Sequence, residues 1–132
     1  MEQLHFMVGE WLGTSQTYEG GALVKEIPAY QHIRYDLDKS ILVIELNSAS
    51  LQLHTIIYYD HKAQQYYYYP FSKHGVAKYP AEFLDGKFIV WPSKEKRFVF
   101  GKTATGEFSE YGERLVNGEW ERYFIDTFTN TK

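Results

Sequence analysis

A chain of 132 residues fits one domain with one core, and its net charge of −3 leaves no basic footprint for a nucleic-acid backbone. It has no cysteine, which excludes disulfides, thiolate metal sites and cysteine nucleophiles. Twelve tyrosines, nine phenylalanines and three tryptophans favour strands, where aromatic side chains pack against cross-strand neighbours.

The first residues, MEQLHFMVGEWLG, lack a basic start leading into an apolar run, and no segment approaches the ~18 apolar residues of a membrane helix. A cytoplasmic protein with no membrane partner is the expectation. Residues 2–7 suit one helical turn plugging a barrel end. Alternating or aromatic-rich runs then recur roughly every 8–12 residues. They span 10–18, 30–37, 40–47, 51–59, 65–71, 75–82, 86–91, 96–102, 107–116 and 119–128. Between them stand DLDKS, NSAS, YDHKAQ, FSKHG, LDGK, WPSKEK, TATG and VNGE, rich in the Asp, Asn, Gly, Pro and Ser that reverse a backbone. The pattern predicts an all-β fold: a closed antiparallel up-and-down barrel of about ten strands in a single domain, 1–132.

Strand side chains alternate between two faces, so turn lengths fix which residues point inward. A two-residue turn at Asp38-Lys39 sets Ile33 opposite Ile44 and Tyr35 opposite Leu42 on an apolar face, with His32, Arg34 and Glu45 on a polar one. If Ser48, Ala49 and Ser50 form the next turn, Ile44 meets His54 and Leu42 meets Ile56. A loop from Asp60 to Gln65 then pairs Tyr58 with Tyr67 and Ile56 with Tyr69. In QQYYYYPF (64–71) this phase turns Tyr67 and Tyr69 inward, with Tyr66 and Tyr68 outward beside Tyr59. The Asn-Gly of VNGE suits a type I′ hairpin. It pairs Arg114 with Glu121 and Glu113 with Arg122, the second pair sharing a less solvated face with Tyr111, Leu115, Trp120 and Phe124.

Gly9-Glu10-Trp11-Leu12-Gly13 on the first strand, followed late in the chain by Arg122, resembles the opening and closing signature of the calycin superfamily. The longer G-x-W-x-G form, the turn at Tyr59-Asp60 and the ending GEWERYFIDTFT look like the lipocalin-like and nitrobindin-like barrels. The resemblance implies barrel closure by Gly9, Trp11 and Arg122, with the arginine packed over the tryptophan. It does not bring the haem site of the nitrobindin-like group, because Ser15 stands at the third glycine position and no histidine follows His74. No cofactor and no metal are expected.

Buried phenols need hydrogen-bond partners. The inward set Tyr35, His54, Tyr58, Tyr67 and Tyr69, with Tyr111, Glu113 and Arg122, therefore reads as a candidate ligand-binding lining. His54 is either a proton donor or acceptor in that cavity or a core histidine bonded to a tyrosine. The pair Glu113 and Arg122 either recognises a ligand carboxylate or closes the barrel end against Trp11. No nucleophile elbow, P-loop or H-E-x-x-H motif is present, and Ser72/His74 and Asp60/His61 lack an orienting partner. The expected function is binding of a small apolar or aromatic ligand, including one whose carboxylate is directed at Arg122. The alternatives are an isomerase-, decarboxylase- or hydrolase-type enzyme using His54 and the tyrosines, or a filled barrel that forms a homodimer through Tyr66 and Tyr68.

Overall fold

The computed structural model describes residues 1–49 and 51–131. It is a closed antiparallel β-barrel built from β1 (Gly9–Glu19), β2 (Ala22–Asp36), β3 (Ile41–Ser48), β4 (Gln52–Asp60), β5 (Gln65–Ser72), β6 (Gly75–Val76), β7 (Tyr79–Leu84), β8 (Lys87–Ser93), β9 (Lys96–Lys102), β10 (Phe108–Val116) and β11 (Glu119–Asn130). Each strand pairs with the next in the chain, except that β6 is a two-residue arm folded back on β5, which pairs onward with β7. Ten strands therefore form the ring. The last returns to the first, from Trp11 opposite Asn130 to Thr17 opposite Phe124, so no sheet edge is left open along this seam.

Gly13 allows that closure. An added Cβ there would overlap the carbonyl oxygen of Thr127, so only a residue without a side chain lets β1 lie this close to β11. The expected type I′ turn is present, with Asn117 and Gly118 at φ 51 and 82. Ser40 donates its backbone N–H to Leu37 O across the DLDKS turn, and the register between β2 and β3 is the expected one.

One end of the barrel is filled. A 3-10 helix, Glu2–Met7, caps it with Leu4 and Met7 fully buried. Trp11 donates its indole N–H to Met7 O at 2.9 Å and lies 5.3 Å, ring to ring, from Phe108. Phe108 in turn stacks on Phe100 and Phe128, and Phe88, Ile33, Leu42 and Ile57 complete this core.

Two segments differ from the sequence reading. β2 begins at Ala22, not near residue 30, because Leu23 and Val24 are about half exposed on a protruding hairpin and show no alternating burial. The run 75–82 divides into β6 and β7. No helix among the described residues is long and apolar enough to cross a membrane.

Candidate functional site

The other half of the barrel is hollow. A cavity of about 640 Å3 opens at the end opposite the helix, between the β3–β4 and β5–β6 connections. Ile27, Ile44, Leu46, Leu53, Phe98 and Phe124 supply much of its wall. Its floor is polar. Gln31 from β2, Thr55 from β4, Tyr68 from β5, Glu110 from β10 and Asp126 from β11 all reach it.

Alternation explains the floor. Glu110 follows Phe108 by two residues and Asp126 precedes Phe128 by two, so both carboxyls share the inward phase of core phenylalanines. They are direct cross-strand partners, as are Ser15 and Asp126 on the other side. Gln31 Nε2 donates to Glu110 Oε1 at 3.1 Å. Burial, reinforced by the neighbouring charge of Asp126, pushes the Glu110 carboxyl up to about 8. Asp126 is likewise raised by burial, to about 6, against the opposing hydrogen bond from Ser15. Burial and then the Glu110 charge raise Tyr68 and also Tyr123, which reaches about 12. Asp126 Oδ1, Gln31 Oε1 and the Tyr123 hydroxyl have no hydrogen-bond partner within the protein.

None of the residues expected to bind ligand lines this cavity. The cause begins at one turn. Ser48 N–H donates to Leu51 O, and Ile44 faces Thr55 instead of His54, so the β3–β4 connection is one residue shorter than expected. Ser50, expected in that turn, lies outside the described residues. The next pairing is as expected, Tyr58 with Tyr67 and Ile56 with Tyr69, but it inherits the opposite phase. Tyr66 and Tyr68 therefore point inward, each 6% exposed, while Tyr67 and Tyr69 lie on the outer wall. Lys78 Nζ sits 4.3 Å from the Tyr67 ring centroid. His54 is exposed opposite Glu45, and Tyr58 is 39% exposed.

Tyr35 keeps the expected inward phase, but at the capped end. Its hydroxyl lies 3.1 Å from His5 Nδ1, and burial followed by the Glu2 charge raises its pKa. His32, Arg34 and Glu45 share an outer face, where Arg34 pairs with Asp36 at 3.2 Å and with Glu45 at 3.7 Å. Ser72 and His74 stand at the cavity mouth.

A bulge in the VNGE hairpin redistributes the remaining candidates. Gly112 pairs with Phe124 but Glu113 with Arg122, leaving Tyr123 as the extra residue. Phe124 is thereby turned into the cavity, while Tyr111, Glu113, Trp120 and Arg122 stay outside. Glu113 is buried there beneath Arg97, whose Nε and Nη2 each lie 2.8 Å from its Oε1. Arg97 also packs 3.9 Å from the Trp120 ring centroid, and Arg122 lies 3.9 Å from that of Tyr111.

The expected closure by Arg122 against Trp11 does not occur. Trp11 pairs with Asn130 at one end of the β1–β11 seam, and Arg122 lies beyond the other end, near the turn at 117–118. Gly9 does support Trp11: a Cβ there would press on the indole at 3.3 Å. The acids of the floor, Glu110 and Asp126, were not among the residues expected to bind ligand. The available signal was an acid spaced two residues from a phenylalanine in F-x-E and F-x-D-x-F. No protein-family model matches the chain, and no curated protein matches it with significance.

Proposed function

We propose that the protein binds a small, predominantly apolar or aromatic molecule inside the barrel. The observation that carries this reading is the hollow half itself, a cavity of about 640 Å3 with apolar walls and a few polar groups converging on its floor. Ligand sites typically fall between about 300 and 1,000 Å3 and have that composition. The packing of Trp11 on the helical cap and against Phe108 supports kinship with lipocalin-like barrels, although Arg122 departs from their pattern. A cytoplasmic setting without nucleic-acid or membrane partners fits the acidic, cysteine-free sequence.

The test is native mass spectrometry of the purified protein together with titration of Nile red, a neutral apolar dye. Retained ligand mass or saturable dye binding is expected, and Ala29→Phe, which fills the cavity from β2, should abolish it. A protein that holds neither ligand nor dye, or dye binding indifferent to Ala29→Phe, would refute the proposal.

The buried carboxyl pair favours a second reading, proton transfer on the bound molecule. His54 has no place in it, being on the outer wall; Glu110, with its pKa raised to about 8, is suited to donate or accept a proton near neutrality. Carbon-bound deuterium acquired by a copurified ligand in heavy water, and lost with Glu110→Gln, would support it. A ligand that stays unlabelled would exclude proton abstraction from carbon.

A further inference from the structure

We infer that the cavity floor recognises the cationic end of a small amine: a protonated ammonium group carried on an apolar body. This rests on the ligand-binding reading and narrows it. Hydrogen-bond complementarity is the first argument. Asp126 Oδ1 and Gln31 Oε1 are acceptors with no donor in the protein, on side chains that are 6% and 1% exposed and that line the cavity. The amide N–H of Gln31 is committed to Glu110, and its carbonyl is the acceptor left without a donor. A buried acceptor left without a donor is costly, so the group that completes this floor must bring N–H or O–H bonds.

Charge is the second argument. Glu110 and Asp126 are direct cross-strand partners in a buried site, a like-charge arrangement that a proton or a bound cation must relieve. Among the described residues no arginine, lysine or histidine forms an ion pair with either carboxylate; the ion pairs all involve other acids. The basic side chains on the cavity lining are Lys25 and His74, both exposed. Hydroxyls on the lining include those of Ser15, Thr55, Tyr68, Tyr79 and Tyr123, and Arg114 lies 5.5 Å from the Tyr123 ring centroid. No group of three or more His, Cys, Asp or Glu side chains among the described residues is placed to hold a metal ion. An organic cation fits, because Ile44, Leu53, Phe98 and Phe100 supply an apolar sleeve for its body.

The same geometry argues against an acid. A carboxylate on the floor would meet two carboxyls and an amide oxygen, and the arginine expected to receive it, Arg122, is on the outer wall.

The experiment is isothermal titration calorimetry of the full chain with three ligands of one shape: phenethylamine, phenethyl alcohol and hydrocinnamate. Near pH ~8 the amine should bind roughly tenfold or more tighter than the alcohol, and the carboxylate weakest, as charge-assisted hydrogen bonds outweigh neutral ones. Asp126→Asn and Glu110→Gln should each weaken the amine about tenfold and the alcohol by distinctly less, because only the amine loses a charge-assisted bond. Amine affinity should rise from about pH 5 to about pH 8 as the carboxyls ionise, with no such rise for the alcohol. Alcohol binding equal to that of the amine in the wild-type protein would overturn the inference while leaving the cavity a binding site. An amine preference unmoved by both substitutions would also overturn it. Failure of all three ligands and of Nile red would overturn this inference and the binding reading together.

Discussion

The capped and open halves of the barrel share the same ten strands and the same alternation, yet one is solid and the other hollow. On β1, β2 and β10 one step of two residues makes the change. On β1 the inward residue goes from Trp11 to Gly13 and Ser15, on β2 from Ile33 to Gln31 and Ala29, and on β10 from Phe108 to Glu110 and Gly112. Backbone pairing is continuous through both halves. Side-chain volume alone decides whether a small barrel fills its interior or encloses a space. The carboxyl pair sits at the boundary, on the first inward positions beyond the phenylalanine layer.

Truncating a phenylalanine in each half tests that contrast with the largest expected effect. Phe108→Ala removes a fully buried ring in contact with Trp11, Phe100 and Phe128 and should cost about 3–5 kcal/mol in urea unfolding. Phe98 is partly exposed on the cavity wall, and Phe98→Ala should cost only about 1 kcal/mol. Equal losses would mean that the open half is packed as tightly as the capped one.

The boundary layer should respond to pH. Glu110 retains its proton in the fold up to about 8, against an ordinary value of 4.5 in the unfolded chain. The folded state binds the extra proton, so this group's contribution is fully present below the unfolded value and is lost as pH climbs through the folded one. Glu110→Gln should therefore stabilise the protein by on the order of 2–4 kcal/mol near pH ~9, with the gain disappearing near pH ~5. Thermal melts of both proteins across that range give the answer; a gain independent of pH would show that the carboxyl is not the cause.

The β1–β11 seam, which runs through both halves, is sensitive for a steric reason. Gly13→Ala would drive a methyl into the Thr127 carbonyl and should cost about 1–3 kcal/mol. At Gly101 an added Cβ meets only Lys87 Cγ at 3.5 Å, an ordinary contact with a flexible side chain, so Gly101→Ala serves as the control. Similar midpoints for the two variants would deny that the β1–β11 approach depends on glycine.

Much of this architecture was legible in the sequence because turn residues are local. Asn117-Gly118 fixed the last hairpin and Asp38-Lys39 the β2–β3 register, and the aromatic periodicity indicated a ring of about ten strands. The site was less legible because facing is cumulative. The connection after Ser48 is a residue shorter than the serines suggested, and that slip reversed His54, Tyr58, Tyr67 and Tyr69 together even though the β4–β5 pairing was right. A bulge at Tyr123 separates Phe124, which faces the cavity as expected, from Arg122 and Glu113, which lie on the outer wall. No local rule places either irregularity. Arg122 shows the limit of carrying a motif over by order alone: it comes late in the chain, but at the wrong end of its strand to meet Trp11.

The smallest effect separates the two faces of the tyrosine run. Tyr67→Phe removes an outer-wall hydroxyl beneath Lys78, away from the cavity, and should leave ligand affinity within about twofold. Tyr68→Phe removes a hydroxyl that bonds with Thr55 inside the cavity and feels the Glu110 charge. Its loss should change phenethylamine affinity by roughly fivefold, because a floor hydrogen bond goes while the ring remains. The two variants differ from the wild type by one oxygen each, and from one another only in which side of the same strand it leaves. Calorimetry in which Tyr67→Phe weakened binding and Tyr68→Phe did not would reverse the phase of β5, and with it the assignment of every inward residue on the β4–β5 hairpin.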